Sequence, residues 1–180
     1  MRILVTGGAG FIGSHIVEHF QGQAEVVVLD NFRSGHRRNL TGLEHRLIEG
    51  SILDRAKLDK ALRGVDQVYH LAAMISVPES MLKPRECVEL NVTGTLQLLE
   101  AAAAAKVGKV VLASSAAIYG DNPTVPKVET MLPEPKSPYA VTKLDGEFYL
   151  ELFRREHGLA TASLRFFNVF GPRQIGRAHV

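Results

Sequence analysis

Cysteine, net charge and long apolar runs are all scarce in this chain, and each shortage closes off a class of function. A single cysteine, Cys87, stands among 180 residues, which excludes an internal disulfide and any metal site built on several cysteines. Its helical setting suggests a packed thiol. The net charge is +2 with acids and bases interspersed, so the electrostatic footprint of a nucleic-acid binder is missing. The densest basic run, Arg33 to Arg38, is explained adequately as a solvated loop. His157 and His179 have no metal-ligand spacing with any other residue. No apolar run approaches membrane length, and an apolar strand pattern begins within three residues of Met1. Neither a spanning helix nor a signal peptide is therefore expected, and the cytoplasm is the expected compartment. The hydrophobic share, 46%, suffices for one good core, while the length is too small for two ordinary domains.

What the chain does have is a glycine cluster at its start. Val5-Thr6-Gly7-Gly8-Ala9-Gly10-Phe11-Ile12-Gly13 follows the apolar run Ile3 to Val5 and opens a segment in which Ile12, Ile16 and Phe20 recur every four residues. The pattern reads as strand, tight turn and helix. Such a helix starts with free N–H groups and the positive end of its dipole, which suits a phosphate. The spacing fits two templates, G-x-G-x-x-G through Gly8 and G-x-x-G-x-x-G through Gly7. Gly7 suits a turn that an L-residue resists, Gly10 a close approach to pyrophosphate, and Gly13 tight helix–strand packing. A second strand, Glu25 to Leu29, ends at Asp30, roughly 20 residues on, where a carboxylate meets an adenosine ribose. An acid there accepts from a 2′-hydroxyl and repels a 2′-phosphate, which favours NAD over NADP. Arg33, Arg37 and Arg38 weigh the other way, since a nearby arginine can take a phosphate; Asp30 outweighs them by sitting at the strand end itself.

Further along, strands alternate with helices. A third strand is read near Arg46 to Ile48, and Asp54 caps a helix whose Leu58, Ala61 and Leu62 form an apolar face that Gly64 stops. Strand four is Gln67 to Leu71. One long helix is predicted from about Pro84 through Leu98, Leu99 and the Ala101–Ala105 run, ending before Gly108. Strand five, Lys109 to Ala113, is nearly all apolar, as a strand covered on both faces should be. The stretch from Gly120 to Pro138 holds Pro123, Pro126, Pro133, Pro135 and Pro138 and reads as a stiff loop bordering the site. Ser137 caps a helix running to Gly158, with Pro138 at its first position, and a last strand covers about Thr161 to Phe167. The alternation predicts an α/β fold with a doubly wound parallel sheet and a ligand at the carboxyl ends of its strands.

The chemistry centres on Tyr139 and Lys143, four apart and so on one helix face. A phenol near pKa ~10 is a poor base at neutral pH, and a neighbouring cation favours its phenolate. Tyr139 is on that ground a candidate general acid/base, expected to be acidified by Lys143. Ser115 closes strand five at the ligand end of the sheet, where a hydroxyl can bond a reacting oxygen.

Taken together, Thr6 to Gly13, Asp30-Asn31, His70 to Ala73, Asn91 to Thr95, Ser114 to Gly120, Pro138 to Lys143 and Arg165 to Asn168 resemble the extended short-chain dehydrogenase/reductases. Within them the chain is most similar to NAD-dependent nucleotide-sugar epimerases of the UDP-glucose 4-epimerase type, through Gln174. The resemblance implies a Rossmann fold, NAD as cofactor, a nucleotide-sugar substrate and a homodimer paired through helices near 81–107 and 138–157. It implies Tyr139 as the base, Lys143 as its electrostatic partner and a ligand of the nicotinamide ribose, and Ser115 on the reacting hydroxyl. Gly7, Gly10, Phe11, Ile12, Gly13 and Asp30 are to hold the adenosine half of NAD, with Asn31 and Ser34 near its ribose. Ile52 lies by the adenine, Leu71, Ala72, Ala73 and Phe167 along the cofactor, and Asn91 in its surroundings. Ser76, Glu79 and Asn168 face the sugar nucleotide. Ser51 departs from the family, which usually carries an aspartate there that reaches the adenine amine.

Each lesser candidate has a plainer alternative: His70 as a packed histidine, Ser76 and Glu79 as caps, Asn168 as a turn residue. Related sugar 4,6-dehydratases and uronate decarboxylases generally carry an acid at the position of Ala117, some also at Ala116, and an alanine moves no proton. Dehydration is thus disfavoured and epimerisation is the main reading; a dehydratase, decarboxylase or ketoreductase of the same family is the alternative, and a non-catalytic NAD-binding module is the alternative from another class. Residues 1–174 are expected to form the NAD-binding domain with most of a C-terminal substrate domain absent, and 175–180 to be a non-native tail. NAD binding is then expected to outlast turnover.

Overall fold

A computed structural model describes residues 1–174; the stretch 175–180, expected to be a foreign tail, lies outside the described residues. Among the described residues six strands form one parallel sheet: β1 (Arg2–Thr6), β2 (Glu25–Asp30), β3 (Arg46–Glu49), β4 (Gln67–His70), β5 (Lys109–Ser115) and β6 (Ala160–Phe166). Their order is β3-β2-β1-β4-β5-β6, the doubly wound arrangement whose winding direction reverses between β1 and β4. Every pairing is parallel, with Thr6 opposite both Leu29 and His70. The crevice at the carboxyl ends of β1 and β4 is where such a sheet takes its ligand.

Among the described residues there are six α-helices: α1 (Phe11–His19), α2 (Arg55–Ala61), α3 (Val77–Leu82), α4 (Pro84–Val88), α5 (Gly94–Ala104) and α6 (Pro138–His157). Successive strand residues feed opposite cores. Leu4, Val27 and Leu29 join Leu58, Leu98, Leu99 and Leu150 in the larger cluster, while Ile3, Val5, Val26 and Val28 meet Val17 and Leu40 in the smaller one. With both faces covered, β1 and β2 are apolar almost throughout, and each buried Leu or Val contributes roughly 1.5–3 kcal/mol. No helix among the described residues is long and apolar enough to cross a membrane.

Three local readings of the sequence need correction. The buried face of α1 is Gly13, Ser14 and Val17, whereas Ile12 and Ile16 are only half-buried; small residues let the helix lie against the glycine turn. The single helix predicted from Pro84 is divided into α4, a π turn at Glu89–Thr93 and α5, with the unforeseen α3 before it. The wider turn accompanies Asn91, whose amide is held inward by both backbone groups of Met74. The proline-rich loop is free of helix and strand as read, but none of residues 121–136 lines the main cavity.

Helix α6 forms as its sequence dictates. Ser137 Oγ accepts from the Ala140 N–H at 3.1 Å, Pro138 occupies the first turn, and Gly158 ends the helix at φ +65°. Midway along it Glu147 takes Arg165 of β6 in a largely buried pair, 2.8 Å at its shortest. Arg165 also donates to the Tyr119 hydroxyl and the Glu129 carbonyl, and Ser114 donates to Glu147. That network fixes the end of β5 against α6 and β6.

Candidate active site

At the switch point lies one cavity of about 340 Å³. Gly7, Gly10, Phe11, Ile12 and Gly13 line it, and their backbone explains why this turn needs glycine. Gly7 stands at φ +71°, and a Cβ there would come 2.8 Å from the Ala72 nitrogen. A Cβ on Gly13 would meet the Gly7 carbonyl oxygen at 2.2 Å and the Gly8 Cα at 2.8 Å. Gly8 instead packs toward Val28 and stays out of the cavity, so the structure selects the template that runs through Gly7. Helix α1 has no side-chain cap and no acid in its first turn, which leaves its first amides and dipole for an anion.

Asp30, Asn31, Arg33, Ser34, Ser51 and Ile52 line the same end. The Asp30 carboxylate is pinned by two backbone donors, Ala9 N–H to Oδ2 at 2.9 Å and Phe32 N–H to Oδ1 at 2.7 Å. Each oxygen keeps a lone pair for a hydroxyl. Ser51 Oγ accepts from the Leu53 N–H. Arg33, the argument for a phosphate, is engaged elsewhere: its guanidinium pairs with Glu79 and Glu86. Arg37 pairs with Glu49 and stacks over the Phe32 ring.

Tyr139, Lys143 and Ser115 reach the cavity from the other side, past Leu71, Ala72 and Ala73. Ser115 Oγ accepts from the Ala117 N–H at 3.1 Å, so its own proton is available to a ligand. The Lys143 ammonium donates to the Ala113 carbonyl at 2.9 Å. Burial lowers its pKa to about 8. It lies 5.7 Å from the centre of the Tyr139 ring, yet the phenol is not acidified as the sequence suggested. Burial pushes the Tyr139 phenol up from its ordinary value, and the nearby Ser115 hydroxyl only partly opposes this. A low-dielectric site penalises the phenolate, and Lys143 is itself desolvated and turned to the Ala113 carbonyl.

Other candidates fall outside the cavity. Ser76 caps α3, accepting from the Glu79 N–H at 3.2 Å, and Glu79 faces Arg33 and Lys83. Asn91 lies behind the wall, donating to Thr142 Oγ1 at 3.0 Å, and Thr142 in turn donates to the Tyr139 carbonyl. His70 is buried between Thr6 and Thr95 at 2.7 and 2.9 Å. Since Thr95 gives its proton to the Asn91 carbonyl, it accepts from His70 Nε2–H, and Nδ1 accepts from Thr6. Burial drives the His70 pKa to about 3, helped by the Lys143 charge. Asn168 and Phe167 do line the cavity, and Phe167 stacks on Tyr119. Sequence reasoning missed Gly35, Gly50, Ile75, Leu90 and Val169 in the lining. At Gly35 a Cβ would come 2.8 Å from the Ala9 carbonyl carbon.

The chain belongs to the NAD dependent epimerase/dehydratase family, whose model matches residues 3–180. A putative UDP-glucose 4-epimerase of Methanocaldococcus jannaschii is 39% identical over 176 residues, covering 96% of this chain and 57% of that relative. Among solved structures, the Thermotoga maritima UDP-glucose 4-epimerase with UDP-glucose is 43% identical at a TM-score of 0.94, covering 99% of this chain and 60% of its own. The Thermus thermophilus UDP-glucose 4-epimerase in complex with NAD is 44% identical at 0.91, with coverages of 97% and 58%. A dTDP-glucose 4,6-dehydratase of Streptomyces venezuelae with NAD bound is similar too, 39% identical at 0.92 over 97% and 58%. Overall likeness therefore does not separate epimerase from dehydratase. The chain spans 51–58% of the length of the curated relatives.

Proposed function

We propose that this chain is the NAD-binding and catalytic part of a nucleotide-sugar 4-epimerase, of the UDP-glucose or UDP-N-acetylglucosamine type. The observation that carries the reading is that one cavity is lined by the glycine turn and Asp30 at one end and by Ser115, Tyr139 and Lys143 at the other. The donor set fits NAD: bare amides for pyrophosphate, a pinned carboxylate for a ribose hydroxyl and a buried ammonium for the second ribose. When bound, NAD supplies the acceptor and later the donor of the C4 hydride. The Tyr139 hydroxyl exchanges the proton of the sugar's C4 hydroxyl, and Ser115 O–H donates to that oxygen. Burial pushes the phenol pKa further above neutrality in the chain alone, which favours its protonated form. Ala116 and Ala117 carry no group that can move the further proton a dehydration requires.

A second copy is the proposed partner. Met81, Leu82, Phe148 and Leu152 are all more than half exposed on α3 and α6, an apolar face that a dimer would cover; sedimentation as a monomer would overturn this part. For the reaction, the chain is incubated with NAD and UDP-glucose and the products are separated. Expected are NAD binding and a slow yield of the C4 epimer that Tyr139→Phe abolishes. A 4-keto-6-deoxy sugar product, or no binding of NAD, would overturn the reading.

A further inference from the structure

The loop after β2 carries a guanidinium that lines the adenosine end of the cavity yet makes its contacts away from it. Arg33 donates to Glu79 at 2.8 Å and also to Glu86. Lys83 completes the group, 3.6 Å from each carboxylate. The loop is set for this direction: Phe32 is left-handed at φ +59°, and the Arg33 N–H turns back onto Asn31 Oδ1 at 3.1 Å. Glu79 and Glu86 belong to α3 and α4 and do not line the cavity.

An arginine near the ribose-binding acid is what a dinucleotide site uses to accept a 2′-phosphate. Here that arginine is present and already neutralised. Around the ribose end, three carboxylates, Asp30, Glu79 and Glu86, face two cations, Arg33 and Lys83, a net charge of −1. A 2′-phosphate brings roughly two further negative charges, whereas a 2′-hydroxyl brings none. We propose that Glu79 and Glu86 are specificity-determining residues, which reject NADP by holding Arg33 away from the 2′ position of the adenosine ribose. This rests on the reading of the cavity as a dinucleotide site and extends it from Asp30 to two acids about fifty residues away on other elements. Asp30 alone repels the phosphate; the two glutamates withhold the cation that would offset that repulsion.

Replacing both glutamates by glutamine turns the local charge from −1 to +1 and frees the guanidinium, while the Ser76 cap of α3 keeps its backbone donor. The test is calorimetric titration of the 180-residue chain with NAD and with NADP, at about 0.05 M salt so that screening is weak. In Glu79→Gln/Glu86→Gln the NADP dissociation constant is expected to fall about tenfold, ~1.4 kcal/mol, with NAD changing less than about twofold, since a freed guanidinium forms a charge-assisted bond with a phosphate and none of that strength with a hydroxyl. Adding Arg33→Ala is expected to remove most of that gain, since the local charge then falls from +1 to 0 and the guanidinium is lost. Glu79→Gln alone should shift NADP in the same direction by less. An unchanged ratio in the double variant, or an improvement that survives Arg33→Ala undiminished, overturns the inference while leaving the NAD site standing. Failure of the unaltered chain to bind NAD overturns the reading of the cavity itself.

Discussion

The two ends of the cavity are built from different material. At the end proposed for adenosine the groups are backbone amides and one carboxylate locked by two more amides, so their positions follow from chain geometry and hardly depend on surroundings. At the end proposed for the chemistry they are a phenol, a hydroxyl and an ammonium, and burial shifts two of them: it raises the Tyr139 pKa and lowers that of Lys143 to about 8. Geometry of this kind can be read from glycine spacing. Electrostatics of this kind needs the depth of each group and the direction in which its charge points.

The contrast can be broken most forcefully at Gly13. Gly13→Ala places a methyl against the Gly7 carbonyl and Gly8 Cα, and since the obstacle is backbone, relief requires the turn to move. We expect a loss of roughly 3 kcal/mol in urea unfolding and a more than about tenfold weaker NAD affinity. Gly22→Ala is the control. Nothing lies within 4 Å of it, so only the left-handed φ is strained, at about 1 kcal/mol, with NAD binding unchanged.

A smaller effect tests the joint between the ends, His70, which ties Thr6 before the glycine turn to Thr95 of α5. Its folded pKa near 3 lies below the ordinary 6.5. Above 6.5 neither state binds the proton; below it the unfolded chain does and the native chain does not. Stability is therefore complete above pH 6.5 and is lost as pH falls toward 3. Between pH 7 and pH 4.5 this one group should remove about 2.5 kcal/mol. The measurement is the difference in unfolding free energy between the two pH values, which His70→Gln should shrink by most of that amount; an equal drop in both chains would refute it.

The smallest effect is spectroscopic. The phenolate absorbance lost on Tyr139→Phe should appear only above pH 10 in the chain alone, because its pKa is raised from 10.0. A step near neutrality would restore Lys143 as the acidifying group and erase the contrast.

The glycine turn, Asp30 at its strand end, the cap of α6 and the four-residue spacing of Tyr139 and Lys143 were all legible, because each rests on local conformation. The three substrate candidates divided for a tertiary reason. Asn168 follows β6 into the cavity, while Ser76 and Glu79 are claimed by α3, a six-residue helix too short to leave a periodic signal. Asn91 was noticed without its task, since bonding Met74 seventeen residues back and Thr142 fifty-one residues on has no local signature.

From the sequence alone came the alternation of strands and helices, the glycine turn, the placing of Asp30 at its strand end and the choice of Ser115, Tyr139 and Lys143 as candidates; short-range sterics and hydrogen bonding suffice for these. Which template the glycines follow, whether the lysine acidifies the tyrosine, and where Arg33 points were decided only by the tertiary structure. Desolvation and charge pairing depend on what lies across the fold, and no spacing along the chain encodes that distance.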